Sequence, residues 1–158
     1  MNQYSELLQY LQQLAYSDVL VNMVTQGEFQ DMDLLKAGLF PLVHISIATG
    51  SFTNTQTINF DVQIGAFNIR TINKEINTDK FWKNDNAVDN VNEVIAIINR
   101  MWSKMYLDFE KHNITASENP TFELLFENRS NILDGVILTF VVEMPNDEIN
   151  LCEEIVIE

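Results

Sequence analysis

Apolar residues recur along this chain in two rhythms, one helical and one strand-like. Over Asn2 to Ala15, Tyr4, Leu7, Leu8, Leu11 and Leu14 return at spacings of three and four, with Gln9, Gln12 and Gln13 between them. That spacing predicts an amphipathic helix. Val19 to Val24 is rich in β-formers and runs into Gln26-Gly27, a turn signal, which predicts a strand. Glu28 to Leu39 fits either a loop or a short helical turn. Pro41 then resets the chain, because it excludes its predecessor from the helical region.

From Val43 the period becomes two. Val43, Ile45 and Ile47 alternate with His44, Ser46 and Ala48, and Ile58, Phe60, Val62 and Ile64 alternate with Asn59, Asp61 and Gln63. Each run predicts a half-buried strand. The polar connection from Gly50 to Thr57 is too short for a parallel crossover, so the two strands form an antiparallel hairpin. A cluster of Asn and Asp then precedes Val88, Val91, Val94, Ile95, Ile98, Met101, Trp102, Met105 and Phe109, a helical stripe ending near His112. Asp85 or Asn86 is placed to cap it, Asp89 sits in the first turn, and Arg100, Lys104 and Lys111 lie in the second half, as the helix dipole favours. Thr121 to Glu127 reads as a short aromatic strand. Asp134-Gly135 reads as a turn leading into Val136 to Met144, which is apolar on both faces through Val142 and therefore central in its sheet. Pro145-Asn146-Asp147 breaks that strand. The order predicts one α+β domain over residues 1–158, its N-terminal and long helices packed on one face of a mainly antiparallel sheet. Residues 146–158 are expected to form a C-terminal strand or an arm that contacts a neighbouring subunit.

Composition supports a folded core, since hydrophobic residues make up 46% of the 158. A single cysteine, Cys152, excludes an internal disulfide and a cysteine-based zinc cage, and fits a reducing compartment. The N-terminal stretch lacks the basic start and continuous apolar run of a secretory signal, and no stretch approaches the roughly 20 apolar residues of a membrane span. A soluble protein acting where it is made is expected, with no membrane partner. The formal charge of −14 is the most unusual total. Such a chain repels nucleic acid at long range, because binding to phosphates normally relies on Lys and Arg.

Candidate chemistry is sparse. His44 is expected on the polar side of its strand beside Ser46, and His112 at the end of the long helix, where a histidine readily meets free carbonyls. A histidine zinc site would need both plus a carboxylate. Asp85, Asp89 and Glu93, and Asp31 with Asp33, are carboxylate rows without the spacing or glycine of a calcium loop. The Glu residues following Cys152 raise rather than lower a thiol pKa, which disfavours a nucleophile. No phosphate-binding, dinucleotide or hydrolase motif is present. The pattern therefore predicts no enzyme, no cofactor and no metal.

Several segments together resemble the tail-terminator and tail-completion (neck ring) proteins of tailed bacteriophages. These are an N-terminal helix followed by Val21-Asn22-Met23-Val24 closing on Gly27, a Pro-led strand at Phe40-Pro41-Leu42-Val43, and a partner strand at Thr57 to Val62. A long helix opening with Asn and Asp, a Gly-led strand at Gly135 and a terminal Cys152 complete the likeness. The chain departs from the pattern where Gly65-Ala66 replaces an aspartate expected after the second strand, and where the Asn-rich stretch before the long helix is extended. The resemblance implies a structural virion protein, assembled in the host cytoplasm. It would form a homo-oligomeric ring at the head–tail junction beside neck, portal-adaptor or tail-tube proteins, with DNA passing through unbound. An acidic lumen suits such a role. The surface expected to meet a neighbour comprises the polar row His44, Ser46, Asn59, Asp61 and Gln63, with Phe52 at the hairpin tip and Leu151, Ile155 and Ile157 in the C-terminal segment. A different class fits the same acidity: an immunity protein, antitoxin or anti-restriction inhibitor of a basic enzyme.

Overall fold

The computed structural model describes residues 3–28, 39–53, 56–71, 86–117, 119–128 and 132–145. Within them the chain runs α1 (Gln3–Tyr16), β1 (Met23–Gln26), β2 (Leu42–Phe52), β3 (Thr57–Ile69), α2 (Ala87–Lys111), β4 (Thr115–Ala116), β5 (Thr121–Asn128) and β6 (Ile132–Pro145). The strands form a single sheet in the order β1-β2-β3-β6-β4, with β5 also paired to β6. It is an α+β fold. The β2–β3 hairpin forms as expected, with Ile45 opposite Ile64. The apolar strand β6 is central, flanked by β3 on one side and by β4 and β5 on the other. β1 pairs with β2 in parallel, so the sheet is mixed, although its other pairings are antiparallel.

Both helices cover one face of this sheet. Leu7, Leu11 and Leu14 of α1 join Val94, Ile97, Met101, Met105 and Phe109 of α2 in a cluster with Val43, Ile45, Val62, Ile64, Leu138, Phe140 and Val142. Trp102 sits edge-on against Phe140, ring centroids 5.3 Å apart. The opposite face carries a smaller cluster of Phe40, Leu42, Phe67 and Leu133 at one end. No helix among the described residues is long and apolar enough to cross a membrane.

Several local expectations are corrected. The first strand starts at Met23, not Val19. Val19 and Leu20 are exposed in a turn where the Leu20 N–H donates to Asp18 Oδ1 at 3.0 Å. Asn86 occupies the N-cap position of α2 without a side-chain cap bond; its Oδ1 instead accepts the Thr71 N–H. At the other end, the helix is stopped by Asn113, whose φ of 55° is left-handed. The Ile114 N–H reaches back to the Phe109 carbonyl at 3.0 Å, the closing bond of a Schellman turn, and His112 contributes its backbone N–H to the same oxygen.

The Asp134-Gly135 pair is no turn: both residues lie inside β6. Gly135 is opposite Phe67, and a Cβ there would run into the Phe67 ring and lie 3.1 Å from the Ala66 carbonyl. The glycine makes room for a neighbouring ring across the sheet. Asp134 is wholly buried and pairs with Arg70.

The hairpin is also longer than its apolar residues imply. Pairing continues through Phe52 opposite Ile58, past a register shift between Ile47 and Thr49. Backbone pairing needs no apolar side chain, and here polar groups support it: Thr49 Oγ1 donates to Asp61 Oδ2 at 2.5 Å and Asn59 Nδ2 donates to Thr53 Oγ1 at 2.8 Å. The extra residue at Ala48 reverses which residues of β2 face the helices. Before it, His44 and Ser46 lie on the helix-free face; after it, Thr49 and Ser51 do, and Phe52 falls on the other side.

Candidate functional site

His44 shows how far local pattern can mislead. It stands on the helix-free face, as expected for the polar side of its strand, yet it is only 1% exposed. In the parallel pair, Thr25 of β1 lies beside it, and Thr25 Oγ1 and His44 Nδ1 are 2.7 Å apart. His44 Nε2 lies 3.0 Å from the Gly27 carbonyl. A carbonyl only accepts, so Nε2 carries the proton, and in the neutral ring Nδ1 accepts from the Thr25 hydroxyl. Both nitrogens are engaged, which leaves no lone pair for a metal. Among the described residues, no group of three or more His, Cys, Asp or Glu is arranged to hold a metal ion.

Replacing His44 by Ala is therefore expected to lower stability by about 2 kcal/mol, since the Gly27 carbonyl and Thr25 hydroxyl lose a partner in a half-buried setting. Urea unfolding of the purified variant measures it. The same reading predicts that neither zinc nor EDTA shifts the melting temperature of the unmodified protein; a zinc-dependent rise would contradict it.

The remaining members of the predicted polar row lie in different settings. Ser46 is buried, directly opposite Gln63. Asp61 and Gln63 are exposed and Asn59 is half-buried, all on the helix-free face. Phe52 is exposed but on the other side of the sheet, beyond the register shift. The expected row is thus split: His44 and Ser46 are not surface, and Phe52 does not share a face with the rest. Leu151, Ile155 and Ile157 lie outside the described residues, as do Cys152, Asp85 and the Asp31 and Asp33 pair. Asp89 and Glu93 lie in the first two turns of α2, where Asn68 Nδ2 donates to Glu93 Oε2 at 2.9 Å.

What the structure does assemble is an open, polar area of sheet. Across β3 and β6, Asp61 is opposite Val141, Gln63 opposite Thr139, and Asn59 opposite Glu143. Thr115 of β4 extends the last row, and Thr121 of β5 extends the Thr139 row with Glu123 next on the same side. Carboxylates of Asp61, Glu123 and Glu143 stand on this face, and none of its described residues is a cation. The described cations are elsewhere and each meets a carboxylate: Arg70 with Asp134, Arg100 with Asp18, and Lys104 and Lys111 with Asp108. Hydrogen bonding to Asp18 holds the Arg100 guanidinium above its ordinary pKa, against a smaller opposing effect of burial. Among the described residues the charge is thus partitioned, with the bases paired off this face and only carboxylates charged on it.

Two edges of the sheet are open among the described residues. β1 covers β2 only from Leu42 to Ile45, so the strand from Ser46 to Phe52 has no partner on that side. On the other flank β5 pairs with β6 alone. Phe122, Leu124 and Phe126 project from β5 on the helix side, 58%, 40% and 58% exposed. Beside them, a groove of about 380 Å³ runs between α2 and β5, lined by Ile95, Ile98, Trp102, Pro120 and Leu138 among others. Sequence reasoning did not single out this edge. The available signal was the alternation of Phe122, Leu124 and Phe126 with Thr121 and Glu123. No protein-family model matches the chain, and no curated protein is detectably similar to it.

Proposed function

We propose that the protein is a structural subunit of a ring at the head–tail junction of a tailed bacteriophage, through which DNA passes without being held. The observation that carries this reading is the helix-free sheet face, acidic at Asp61, Glu123 and Glu143 and without a cation among its described residues. Turned toward a channel, such a face repels the duplex and supplies none of the Lys or Arg contacts that would retain it. Its helical layer faces outward. Edges open among the described residues on opposite flanks, at Ser46–Phe52 and at β5, suit a head-to-tail contact that repeats around a closed ring. Resemblance to the neck-ring proteins in segment order points the same way.

The test combines composition and shape. Mass spectrometry of purified phage particles is expected to find the chain as a virion component in several copies. Negative-stain images of the protein coexpressed with its genomic neighbours are expected to show rings with a central opening. Absence from the particles would overturn the reading. Copurification with a basic enzyme that it inhibits, without rings, would instead favour an acidic inhibitor.

A further inference from the structure

We propose that the distal half of β2, from Ser46 to Phe52, is a docking edge for an extended, basic segment of a different protein, which adds to the sheet as a further strand in line with β1. The inference goes beyond the ring reading and does not rest on it. A ring closed through this edge and a bound segment exclude each other there, and each has its own test.

The edge follows from a mismatch in strand length. β1 has 4 residues and pairs with Leu42–Ile45, so the rest of β2 has no neighbour on that side among the described residues. Ala48 to Phe52 are exposed without a break. No Lys and no Pro within Ser46–Phe52 discourages pairing. The bulge at Ala48 interrupts the strand, but from Thr49 to Phe52 its register with β3 is regular again. An added strand satisfies the backbone groups of such an edge, and extended peptides are commonly bound in this way.

The side chains then select the occupant. The bulge turns Thr49 and Ser51, not Ala48 and Gly50, onto the helix-free face. Both are short. Behind Thr49, in β3, Asp61 is exposed and leans toward the edge, since its Oδ2 accepts the Thr49 hydroxyl at 2.5 Å. The described cations are all paired with other carboxylates. A strand added about 4.8 Å beyond β2 therefore finds a carboxylate within reach of a long cationic side chain laid across Thr49. Arginine suits it best, because its planar fork meets a carboxylate through two bonds. On the helix side the edge is apolar. Phe52 lies there, and a hollow of about 80 Å³ opens where β1 ends, lined by Leu8, Gln12, Val24, Gln26 and Ile45 among others. It has room for a small apolar side chain. Side chains alternate along a strand, so the segment reads basic, apolar, basic. A second copy's described strands do not supply that pattern, for none contains Lys or Arg. The segment belongs to another chain.

The probe is a labelled synthetic peptide of alternating Arg and Val, about seven residues long to span the edge. Fluorescence anisotropy with the full-length protein is expected to show binding. A peptide of the same composition with its arginines and valines in separate blocks should bind at least roughly 10-fold more weakly, because it cannot present one kind of side chain to each face. Asp61→Asn keeps an acceptor for Thr49 at an exposed position, so the fold, checked by circular dichroism, is retained. It should weaken the alternating peptide roughly 10-fold or more. Glu110→Gln removes the same charge from the exposed side of α2 and should change nothing. Hydrogen exchange is expected to slow at Ala48–Phe52 when the peptide binds, and to stay as it was in β5. No binding by the alternating peptide, equal binding by the blocked one, or equal losses in Asp61→Asn and Glu110→Gln would overturn the inference. Protection confined to β5 would overturn it as well. Each of these results leaves the ring reading to its own test in phage particles.

Discussion

Asp134→Ala is expected to destabilise the protein by about 3–5 kcal/mol, the scale for stranding one partner of a buried ion pair. Asp134 is wholly buried in the central strand, and the charge is tolerated there because its oxygens are all but fully used. Arg70 grips it with two nitrogens, Nη2 on Oδ1 and Nε on Oδ2 at 3.1 Å. Asn90 Nδ2 reaches the same Oδ2 at 3.1 Å and also the Ile69 carbonyl at 2.9 Å. Asn86 Nδ2 then donates to Asn90 Oδ1 at 3.2 Å. The carboxylate thus fastens the first turns of α2 and the end of β3 onto β6. Without it, Arg70 keeps a mostly buried positive charge beside Phe126, and the Asn90 amide loses its second acceptor. A shift of the urea midpoint with an unchanged slope would show that stability, and not the unfolded state, has changed. The double change Asp134→Leu with Arg70→Met should recover much of the loss, since apolar replacement of an entire buried pair is often close to neutral. If the double variant is as unstable as Asp134→Ala, the cost lies in the Asn90 bonds and not in the charge.

This same residue marks the boundary of what the sequence discloses. The hairpin and α2 are legible because their signal is local and repeated: Val43, Ile45 and Ile47 against Ile58 to Ile64 at period two, and Val94 to Phe109 at helical spacing. Each position there is confirmed by its neighbours. Asp134-Gly135 has a strong local signal that points to a turn, and tertiary demands override it. The glycine answers to Phe67 in another strand and the aspartate to Arg70 and Asn90, 64 and 44 residues away. Val19 and Leu20 look like strand, but Asp18 makes a turn there and binds Arg100, 82 residues on. His44 reads as solvent-facing because alternation assigns a face and says nothing of what covers it. Its partner Thr25 comes from a strand added in parallel, a pairing that no spacing in the sequence reveals. The exposed row on β5 stayed hidden for the converse reason. Phe and Leu in a strand suggest a core, and only the placement of α2 beside β5, not over it, leaves Phe122 and Phe126 in the open.

Asp108→Ala is expected to cost about 3 kcal/mol, and the division of that loss identifies what holds α1 against α2. Asp108 is buried near the end of α2, on the stripe otherwise made of Val94, Ile97, Met101 and Met105. Its Oδ2 accepts the hydroxyl of Tyr10, itself wholly buried in α1, at 2.7 Å, while Oδ1 accepts Lys104 Nζ at 3.0 Å and Lys111 Nζ lies 3.8 Å away. The lysines are half-exposed, so water can replace the carboxylate as their own partner, and only the buried Asp108 Oδ1 feels the loss of either one. The Tyr10 hydroxyl is buried, and losing its bond to the carboxylate costs about 1–3 kcal/mol, since hydrogen bonds to a charged group are the stronger sort. Tyr10→Phe alone should then lose about 2 kcal/mol, because the buried carboxylate forfeits its best donor while the ring still packs against Phe109, centroids 5.6 Å apart. Lys104→Ala should lose less, about 1 kcal/mol, because Lys111 Nζ stays 3.8 Å from the same buried oxygen. In the double-mutant cycle of Tyr10→Phe with Asp108→Ala, a coupling of about 1–2 kcal/mol is expected, and it should persist in 1 M salt, where the exposed lysine pairs are screened. A coupling that vanishes with salt would mean that the lysines, not the tyrosine, secure the carboxylate. Were that so, α1 would be held to the body of the protein chiefly by its apolar face.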